Sequence, residues 1–163
     1  VIVVKKIGAP FNPELAAAAV TEFGDVAIEE EVVAFYGISR EAVLKRASEH
    51  VPDLRRRAES YRGGRGFIEP AGKTVAVIDD GLATGTTMVA AVKSIKKMNP
   101  SRLIASAPVA STTAASKLRP LVDQVVCPYV EEEFYAVGEF YEKFAQVTDA
   151  EVVRYLRESV NFY

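Results

Sequence analysis

The sequence predicts an α/β fold built on a twisted, mainly parallel sheet flanked by helices. After Lys73, short apolar runs alternate with helical stretches, a pattern typical of parallel strands joined by helices. One of these apolar runs leads directly into a loop of small residues and then into a helix. With 163 residues, the chain is long enough for one domain with its own core.

The predicted elements begin with a buried strand in VIVVKK, at residues 1–6. Because this strand starts at the first residue and without Met, we expect that the chain continues a longer product and that a preceding strand is missing. Removal of an initiator Met is the alternative. Asn12 and Pro13 suit the N-cap and the first position of a short helix, PELAAAAV. A short strand or hairpin and a helical turn are predicted in GDVAIEEEVVAFYG.

A long helical region is predicted in SREAVLKRASEHVPDLRRRAESYRGG. Ser39 is a suitable N-cap, and the glycines of YRGGRG end the helix. Pro52 is expected to kink or split it, because proline lacks an N–H group and clashes with the preceding turn. His50, the single histidine, is expected at the surface of this helix.

The C-terminal half is predicted to alternate between strands and helices. TVAVID, RLIASAPVA and DQVVCPYV are the strands, and Cys127 in the last of them is expected to be a core thiol. Residues 84–97 form a helix whose buried face includes Met88 and Ile95 at helical spacing. STTAASKLRPLV is a shorter helix, and residues 134–163 are predicted to be mostly helical and rich in aromatics.

The composition excludes several classes of protein. The net charge is −2, so there is no broad basic surface for nucleic acid. No apolar run reaches the length of about 18 residues that spans a bilayer, and no signal-peptide pattern is present. A single cysteine cannot form a disulfide within the chain. We therefore expect a cytoplasmic protein without nucleic-acid or membrane partners.

The sequence VAVIDDGLATGTT, at residues 75–87, carries the most informative chemistry. Asp79 and Asp80 lie where a strand ends, which is where open α/β sheets bind ligands. The loop after them has side chains small enough for backbone N–H groups to approach a phosphate at the start of a helix. These loop residues are Ala83, Thr84, Gly85, Thr86 and Thr87. The two carboxylates suit a polyol attached to that phosphate, or a Mg²⁺ ion.

Other phosphate-binding loops match less well. A Walker loop requires a lysine that this loop lacks. A dinucleotide-binding loop has GxGxxG with an acidic residue downstream, and a response-regulator domain needs an aspartate at the end of the next strand, where SAPVA has none. The remaining alternative is a solvated strand end followed by an ordinary turn, without a ligand.

VAVIDDGLATGTT resembles the binding motif for phosphoribosyl pyrophosphate (PRPP) of the type I phosphoribosyltransferases. The resemblance implies the fold of that family, with Asp79 and Asp80 as catalytic residues that hold the ribose hydroxyls, with or without Mg²⁺. It implies that the 5′-phosphate binds to Ala83, Thr84, Gly85, Thr86 and Thr87. The reaction would exchange pyrophosphate for a nitrogenous base at the anomeric carbon, through a transition state that resembles an oxocarbenium ion.

The likeness extends over nearly the whole chain. VVKKIGAPFNPELAAAAV, ESYRGGRG and FYAVGEFYEKFAQVTDAEV are similar to segments of an uncharacterised branch of the family, in which many members have Arg-Lys in place of Lys5 and Lys6. The resemblance implies that these lysines bind pyrophosphate and that Lys6 also acts in catalysis; the alternative is a pair of solvent-facing lysines. Arg62 and Arg65 would close over pyrophosphate, or else flank a glycine-rich helix end.

The resemblance also divides the chain. Residues 8–72 would be an insertion in place of the family's flexible loop, and residues 129–163 a hood with a C-terminal helix. By similarity to the purine enzymes, Tyr135 would stack on the base and Val137 would lie beside it. The alternative is a core-facing helical stripe made of Val137, Phe140, Tyr141 and Phe144.

The chain departs from the family's pattern at two points. Ala83 stands where hypoxanthine-guanine enzymes have an aspartate that serves the base, which argues against their substrate mechanism. The family's pyrophosphate loop, usually Pro-Arg-Gly-Gly in this branch, belongs to the strand that we expect before Val1, so pyrophosphate binding depends on that strand.

The sequence therefore predicts a single phosphoribosyltransferase domain over residues 1–163 that uses PRPP and Mg²⁺ with an unidentified base in nucleotide metabolism. A PRPP-binding regulatory module without catalysis, a ribose-phosphate hydrolase or phosphorylase, and an inactive fragment are the alternatives. The aromatics of the tail would suit a homodimer.

Overall fold

The computed structural model describes residues 1–160, and within them the predicted α/β architecture is confirmed. The N-terminal part forms an antiparallel sheet and the C-terminal part contributes parallel strands, with helices packed on both. Each part has its own hydrophobic core. None of the helices within residues 1–160 combines the length and the hydrophobicity needed to cross a membrane.

The N-terminal sheet has its strands in the order β1-β2-β3, all antiparallel. They are β1 (Val4–Ala9), β2 (Asn12–Thr21) and β3 (Val26–Ile28). The strand predicted over residues 1–6 thus begins later, at Val4. The helix predicted from Asn12 and Pro13 is wrong, because this segment forms β2.

Packing on both faces explains why the alanine-rich segment forms a strand. Ala18 and Val20 are buried in the first core, whereas Ala19 is buried on the opposite face with Ala27 and Ala90. A strand presents alternate residues to its two faces, and small side chains let both neighbouring layers approach it. The helix propensity of alanine is a weak preference that such tertiary packing overrides.

Two helices follow, α1 (Glu30–Phe35) and α2 (Arg40–Arg62). The predicted N-cap of α2 is confirmed, because the Ser39 hydroxyl accepts a hydrogen bond from the Ala42 N–H at 3.3 Å. The predicted end is also confirmed, since Gly63 closes the helix with a φ of 59°, in the left-handed region that glycine adopts readily.

Helix α2 runs through Pro52 without interruption, so the predicted split is wrong. Pro52 has no N–H group to donate to the carbonyl of Ser48, four residues earlier in the helix. Because Ser48 is exposed, water can satisfy that carbonyl. His50 is half-buried on the same helix. Residues 8–72, predicted as a helical insertion, contain β2 and β3 as well as α1 and α2.

The C-terminal part contains β4 (Thr74–Ile78), α3 (Thr86–Lys96), β5 (Arg102–Ser106), β6 (Val109–Ser111), α4 (Thr112–Leu118), β7 (Gln124–Val126) and β8 (Tyr129–Glu131). Strands β4, β5 and β7 form a parallel sheet in that order, and β6 pairs in parallel with β8. The predicted strands RLIASAPVA and DQVVCPYV are each divided, near Pro108 and Pro128, because proline has no N–H group for a sheet ladder. Cys127 lies at the second division, half-buried beside the second core.

The aromatic tail is less helical than predicted. It contains a short 3₁₀ turn (Val137–Phe140) and α5 (Asp149–Val160), which packs on α2. Phe140 and Phe144 are 39% and 51% exposed, so the alternative of a core-facing helical stripe is wrong. The predicted tail also includes residues 161–163, which lie outside the described residues.

Candidate functional site

A cavity of ≈ 1610 Å³ is lined by residues of both β1 and β4. Within residues 1–160, β4 pairs only with β5, and β1 pairs only with β2. All residues of β4 line the cavity, although successive side chains of a strand point to opposite faces. The cavity therefore runs along the open edge of β4 and ends at the loop that joins β4 to α3.

Asp79 and Asp80 follow β4 directly. The Asp79 N–H donates to the Ser106 carbonyl at 3.0 Å. Asp79 is half-buried, whereas Asp80 is exposed. Burial raises the pKa of Asp79, and the charge of Asp80 adds to this effect. Two features oppose the rise: the Asp80 N–H, which donates to an Asp79 carboxylate oxygen at 3.0 Å, and the Lys6 cation. The acid pair thus holds two carboxylates in unequal environments.

Two side chains from the α4 segment hold carbonyl groups of the loop. The Ser111 hydroxyl donates to the Ala83 carbonyl at 2.6 Å, and the Lys117 ammonium donates to the Thr84 carbonyl at 3.4 Å. In a trans peptide the C=O and the following N–H point in opposite directions, so the N–H groups of Thr84 and Gly85 point away from α4. Among the described residues neither N–H meets a protein acceptor. Both are available to an anion in the cavity, which Thr84 and Gly85 line.

The start of α3 adds to this anion-binding character. Gly85 is its N-cap, with a φ of 74°, and a Cβ there would lie 3.1 Å from the Cβ of Ala114. The first turn contains no acidic residue of its own, and the positive end of the helix dipole favours an anion there. Thr87 lines the cavity, whereas Thr86 is 3% exposed and does not.

The cavity brings together most of the residues predicted from the sequence. Those that line it are Asp79, Asp80, Lys6, Ala83, Thr84, Gly85, Thr87, Arg62, Arg65, Tyr135 and Val137. Lys5 and Thr86 do not line it. Lys5 and Lys6 are neighbours on β1, whose side chains alternate between faces, so only Lys6 reaches the side of the acid pair.

Arg62 already has a partner in the wall of the cavity. Its guanidinium pairs with the Glu22 carboxylate at 2.7 Å, and the two side chains are only 13% and 4% exposed. It also donates to the Val1 carbonyl at 3.0 Å and lies 4.8 Å from the centre of the Phe67 ring. Separating a buried charge from its partner is costly. Arg62 therefore stabilises the wall, whereas Arg65 is an exposed cation at the same cavity.

The predicted hood is fastened to the acid-pair segment at two points. Val137 packs so closely on Gly81 that a Cβ there would lie 2.5 Å from a Val137 methyl group. The Tyr141 hydroxyl donates to the Asp80 carbonyl at 2.6 Å. Tyr135 lines the cavity and is 81% exposed, so its ring is accessible for stacking.

Three residues that hold the loop were not predicted from the sequence: Glu29, Ser111 and Lys117. Ser111 had a local signal, because a serine before a helix is a typical N-cap, and it does accept the Ala114 N–H at 3.0 Å. Glu29 contacts Thr86, which lies 57 residues later in the sequence, and Lys117, which lies 88 residues later. Such contacts have no local signal, because only the fold brings these segments together.

The donor set of the acid pair fits one kind of metal site. Within residues 1–160 no group of three or more His, Cys, Asp or Glu side chains could hold a metal ion. Magnesium is commonly bound through one or two carboxylates, with water and substrate phosphates as the other ligands. Asp79 and Asp80 meet that requirement, since they supply two neighbouring carboxylates at the cavity.

Comparison with protein families gives a match over most of the chain. The family model described as "Phosphoribosyl transferase domain" matches residues 1–144. Two proteins of Mycobacterium tuberculosis are each 34% identical to the chain over 156 residues. They are named "Putative phosphoribosyl transferase Rv0571c", from strain H37Rv, and "Putative phosphoribosyl transferase MT0597", from strain CDC 1551. Each match covers 96% of this chain, which spans only 35% of the length of those relatives.

A solved structure has the same fold. The crystal structure of TT1426 from Thermus thermophilus superposes with a TM-score of 0.70 at 36% sequence identity. The match covers 96% of this chain and 74% of that one.

Proposed function

Because the chain belongs to the phosphoribosyl transferase domain family, we propose that it transfers a 5-phosphoribosyl group between PRPP and a nitrogenous base. One observation carries this proposal. The carboxylates of Asp79 and Asp80 lie beside a loop in which the N–H groups of Thr84 and Gly85 have no protein acceptor among the described residues. A polyol joined to a phosphate, as in PRPP, matches these two halves of the site.

The 5′-phosphate would bind in the loop and at the start of α3. The N–H groups of Thr84 and Gly85 would donate to its oxygens, and Thr87, which also lines the cavity, would add its hydroxyl. The dipole of α3 favours the anion at the same place. The loop needs no lysine for this role, because backbone groups supply the donors.

The ribose and the metal would bind at the acid pair. Asp79 and Asp80 would accept hydrogen bonds from the ribose hydroxyls, or hold Mg²⁺ together with pyrophosphate oxygens and water. When bound, Mg²⁺ would neutralise part of the charge on the departing pyrophosphate. Burial raises the pKa of Asp79, and a cation bound beside the carboxylate would oppose that rise by favouring the charged form.

The chemical step needs little beyond positioning and charge. The bond from the anomeric carbon to the pyrophosphate oxygen breaks and its electron pair leaves with pyrophosphate. The lone pair of a base nitrogen forms the new bond to that carbon, and the nitrogen loses its proton to solvent. Lys6 and Arg65 line the same cavity as the acid pair and would stabilise the negative charge on the leaving group.

The base would lie under the hood. Tyr135 offers an exposed ring for stacking, and Val137 lies over Gly81 beside the acid pair. The cavity of ≈ 1610 Å³ is larger than the roughly 300–1,000 Å³ of most small-molecule sites. Its size therefore sets no limit on the acceptor.

The test is calorimetric titration of Mg²⁺ and PRPP into the wild type and into Asp79→Asn/Asp80→Asn. We expect binding by the wild type and its loss in the double variant, because both carboxylates that hold the ribose or the metal are removed. Glu49→Gln/Asp53→Asn removes two exposed carboxylates of α2 and is the matched control, which should bind as the wild type does. Ribose 5-phosphate, which needs the acid pair and the loop but no pyrophosphate site, is titrated alongside. A folded wild type that binds neither PRPP nor ribose 5-phosphate would overturn the proposal. Where binding is found, a screen of bases for pyrophosphate release identifies the acceptor.

A PRPP-binding module without catalysis is the second candidate. It would need only the acid pair and the loop, and it would not need Arg62, whose guanidinium is held by Glu22. Binding of PRPP without turnover for any base would support this candidate, and pyrophosphate release would exclude it.

A further inference from the structure

Glu29 occupies an unusual position at the beginning of α1. It is the N-cap residue of that helix, yet its side chain makes no capping hydrogen bond. The carboxylate turns instead toward the phosphate loop, where one oxygen accepts a hydrogen bond from the Thr86 hydroxyl and the other pairs with Lys117 at 2.7 Å. We infer that Glu29 is a positioning residue for the 5′-phosphate loop, an inference that rests on the proposed function.

The surroundings of Glu29 make these bonds strong. Its side chain is 12% exposed, that of Lys117 is 35% exposed, and Thr86 is 3% exposed. An ionised group that is shielded from water forms stronger hydrogen bonds than an exposed one. Glu29 follows β3 directly, so the contact ties the N-terminal sheet to the loop and to α4.

The carboxylate also sets the direction of a short chain of hydroxyls. An ionised carboxylate only accepts, so the Thr86 hydroxyl must donate its single proton to Glu29. The Thr86 oxygen lies 2.8 Å from the Thr84 hydroxyl and can then only accept from it. The protons of both hydroxyls are thus committed within the protein, which leaves the phosphate to the backbone N–H groups and Thr87.

Lys117 completes the arrangement from the other side. It pairs with Glu29 and also donates to the Thr84 carbonyl at 3.4 Å. This second bond turns the Gly85 N–H away from α4, because the two groups belong to the same trans peptide. Glu29 therefore acts on the site through Thr86 directly and through the orientation of Lys117. Thr86, which the sequence assigned to the phosphate, has a structural role in this scheme.

The test measures two ligands separately by calorimetry: ribose 5-phosphate, which needs the loop, and inorganic pyrophosphate, which does not. We expect Glu29→Gln to bind ribose 5-phosphate about tenfold more weakly, the effect of losing one charge-assisted hydrogen bond. Its affinity for pyrophosphate should stay within about twofold of the wild type. Glu30→Gln is the matched control, because that neighbouring carboxylate pairs with Arg40 on the exposed surface and should leave both affinities unchanged.

A second pair of variants distinguishes positioning from direct binding by Thr86. Thr86→Val keeps the shape but removes the hydroxyl, and Thr86→Ser restores it. We expect Thr86→Val to weaken ribose 5-phosphate binding as Glu29→Gln does, Thr86→Ser to retain it, and Glu29→Gln/Thr86→Val to be no weaker than either single variant. If Glu29→Gln does not fold, as thermal unfolding would show, the Thr86 pair still decides the question.

Several results would overturn the inference. Additive losses in Glu29→Gln/Thr86→Val would mean that Thr86 binds the phosphate itself. If Glu29→Gln weakened the binding of both ligands equally, Glu29 would only support the fold. If Glu29→Gln bound ribose 5-phosphate as the wild type does, Glu29 would have no positioning role, and the proposed function would stand without it. A wild type that binds neither ribose 5-phosphate nor PRPP with Mg²⁺ would overturn both proposals.

Discussion

The hydroxyl of Tyr141 donates a hydrogen bond to the main-chain carbonyl of Asp80, with 2.6 Å between the two oxygens. This bond joins the predicted hood to the segment that carries the acid pair. The side chain of Asp80 remains exposed, so the hood is attached without using the carboxylate. In the proposed function, the position of a base under the hood would therefore be coupled to the position of the ribose.

Tyr141→Phe tests this coupling. It removes one hydrogen bond and retains the ring, so we expect a loss of about 1 kcal/mol in the free energy of unfolding. The Michaelis constant for the base should rise while the affinity for ribose 5-phosphate stays close to that of the wild type, because the loop is untouched. Tyr155→Phe, which alters an exposed tyrosine of α5, is the matched control. A change in ribose 5-phosphate affinity as large as that for the base would contradict the prediction.

Gly81→Ala is expected to displace the hood. The new Cβ would lie 2.5 Å from one Val137 methyl and 2.9 Å from the other, and such overpacking costs about 1–3 kcal/mol. Val137→Ala removes both methyls, so the double variant should recover most of the stability lost by Gly81→Ala alone. Urea unfolding of the four proteins measures this. If the losses in free energy of unfolding of the two single variants simply add in the double variant, the contact between residues 81 and 137 is not the cause of the destabilisation by Gly81→Ala.

The raised pKa of Asp79 predicts opposite effects of pH on stability and on binding. Burial moves this pKa above its ordinary value of 3.8, so between the two values the folded chain holds more protons than the unfolded one. The contribution of Asp79 to the free energy of unfolding should therefore decrease as pH rises through that window, whereas affinity for PRPP with Mg²⁺ should increase. Urea unfolding and calorimetric titration of PRPP with Mg²⁺, each repeated across this pH window, check the two effects. In Asp79→Asn, the part of the pH dependence of the free energy of unfolding that Asp79 contributes should be lost. A slope that persists in this variant would assign it to other groups.

The attachment of α5 should weaken in acid. Hydrogen bonds from the Tyr61 hydroxyl and then from Arg57 hold the pKa of Asp149 below its ordinary value. The stabilisation is present above the unfolded pKa and is lost as pH falls through the lowered folded pKa. Asp149→Asn should thus speed amide hydrogen exchange in α5 at neutral pH, and the difference from wild type should vanish in strong acid. Asp53→Asn alters an exposed carboxylate of α2 that pairs with Arg56 of the same helix, and it should show no such effect.

The predictable parts of the molecule are those with local signals. The acid pair and the small-residue loop stand together in residues 75–87, and the structure gathers them at one cavity with Lys6. The segment from Asn12 could not be assigned from its own residues, because burial between two layers turned a helix-forming composition into a strand. Glu29 could not be recognised for a similar reason, since its partners are distant in the sequence.

The open edge of β4 has a consequence for the behaviour of the isolated chain. Its backbone groups on that side lack a partner strand among residues 1–160, and Ile78 at its end is 72% exposed. Such an edge is a template for pairing with any extended polypeptide. Purified protein is therefore expected to self-associate as its concentration rises. The resulting turbidity should fall when a short peptide that can pair with β4 as a strand is added.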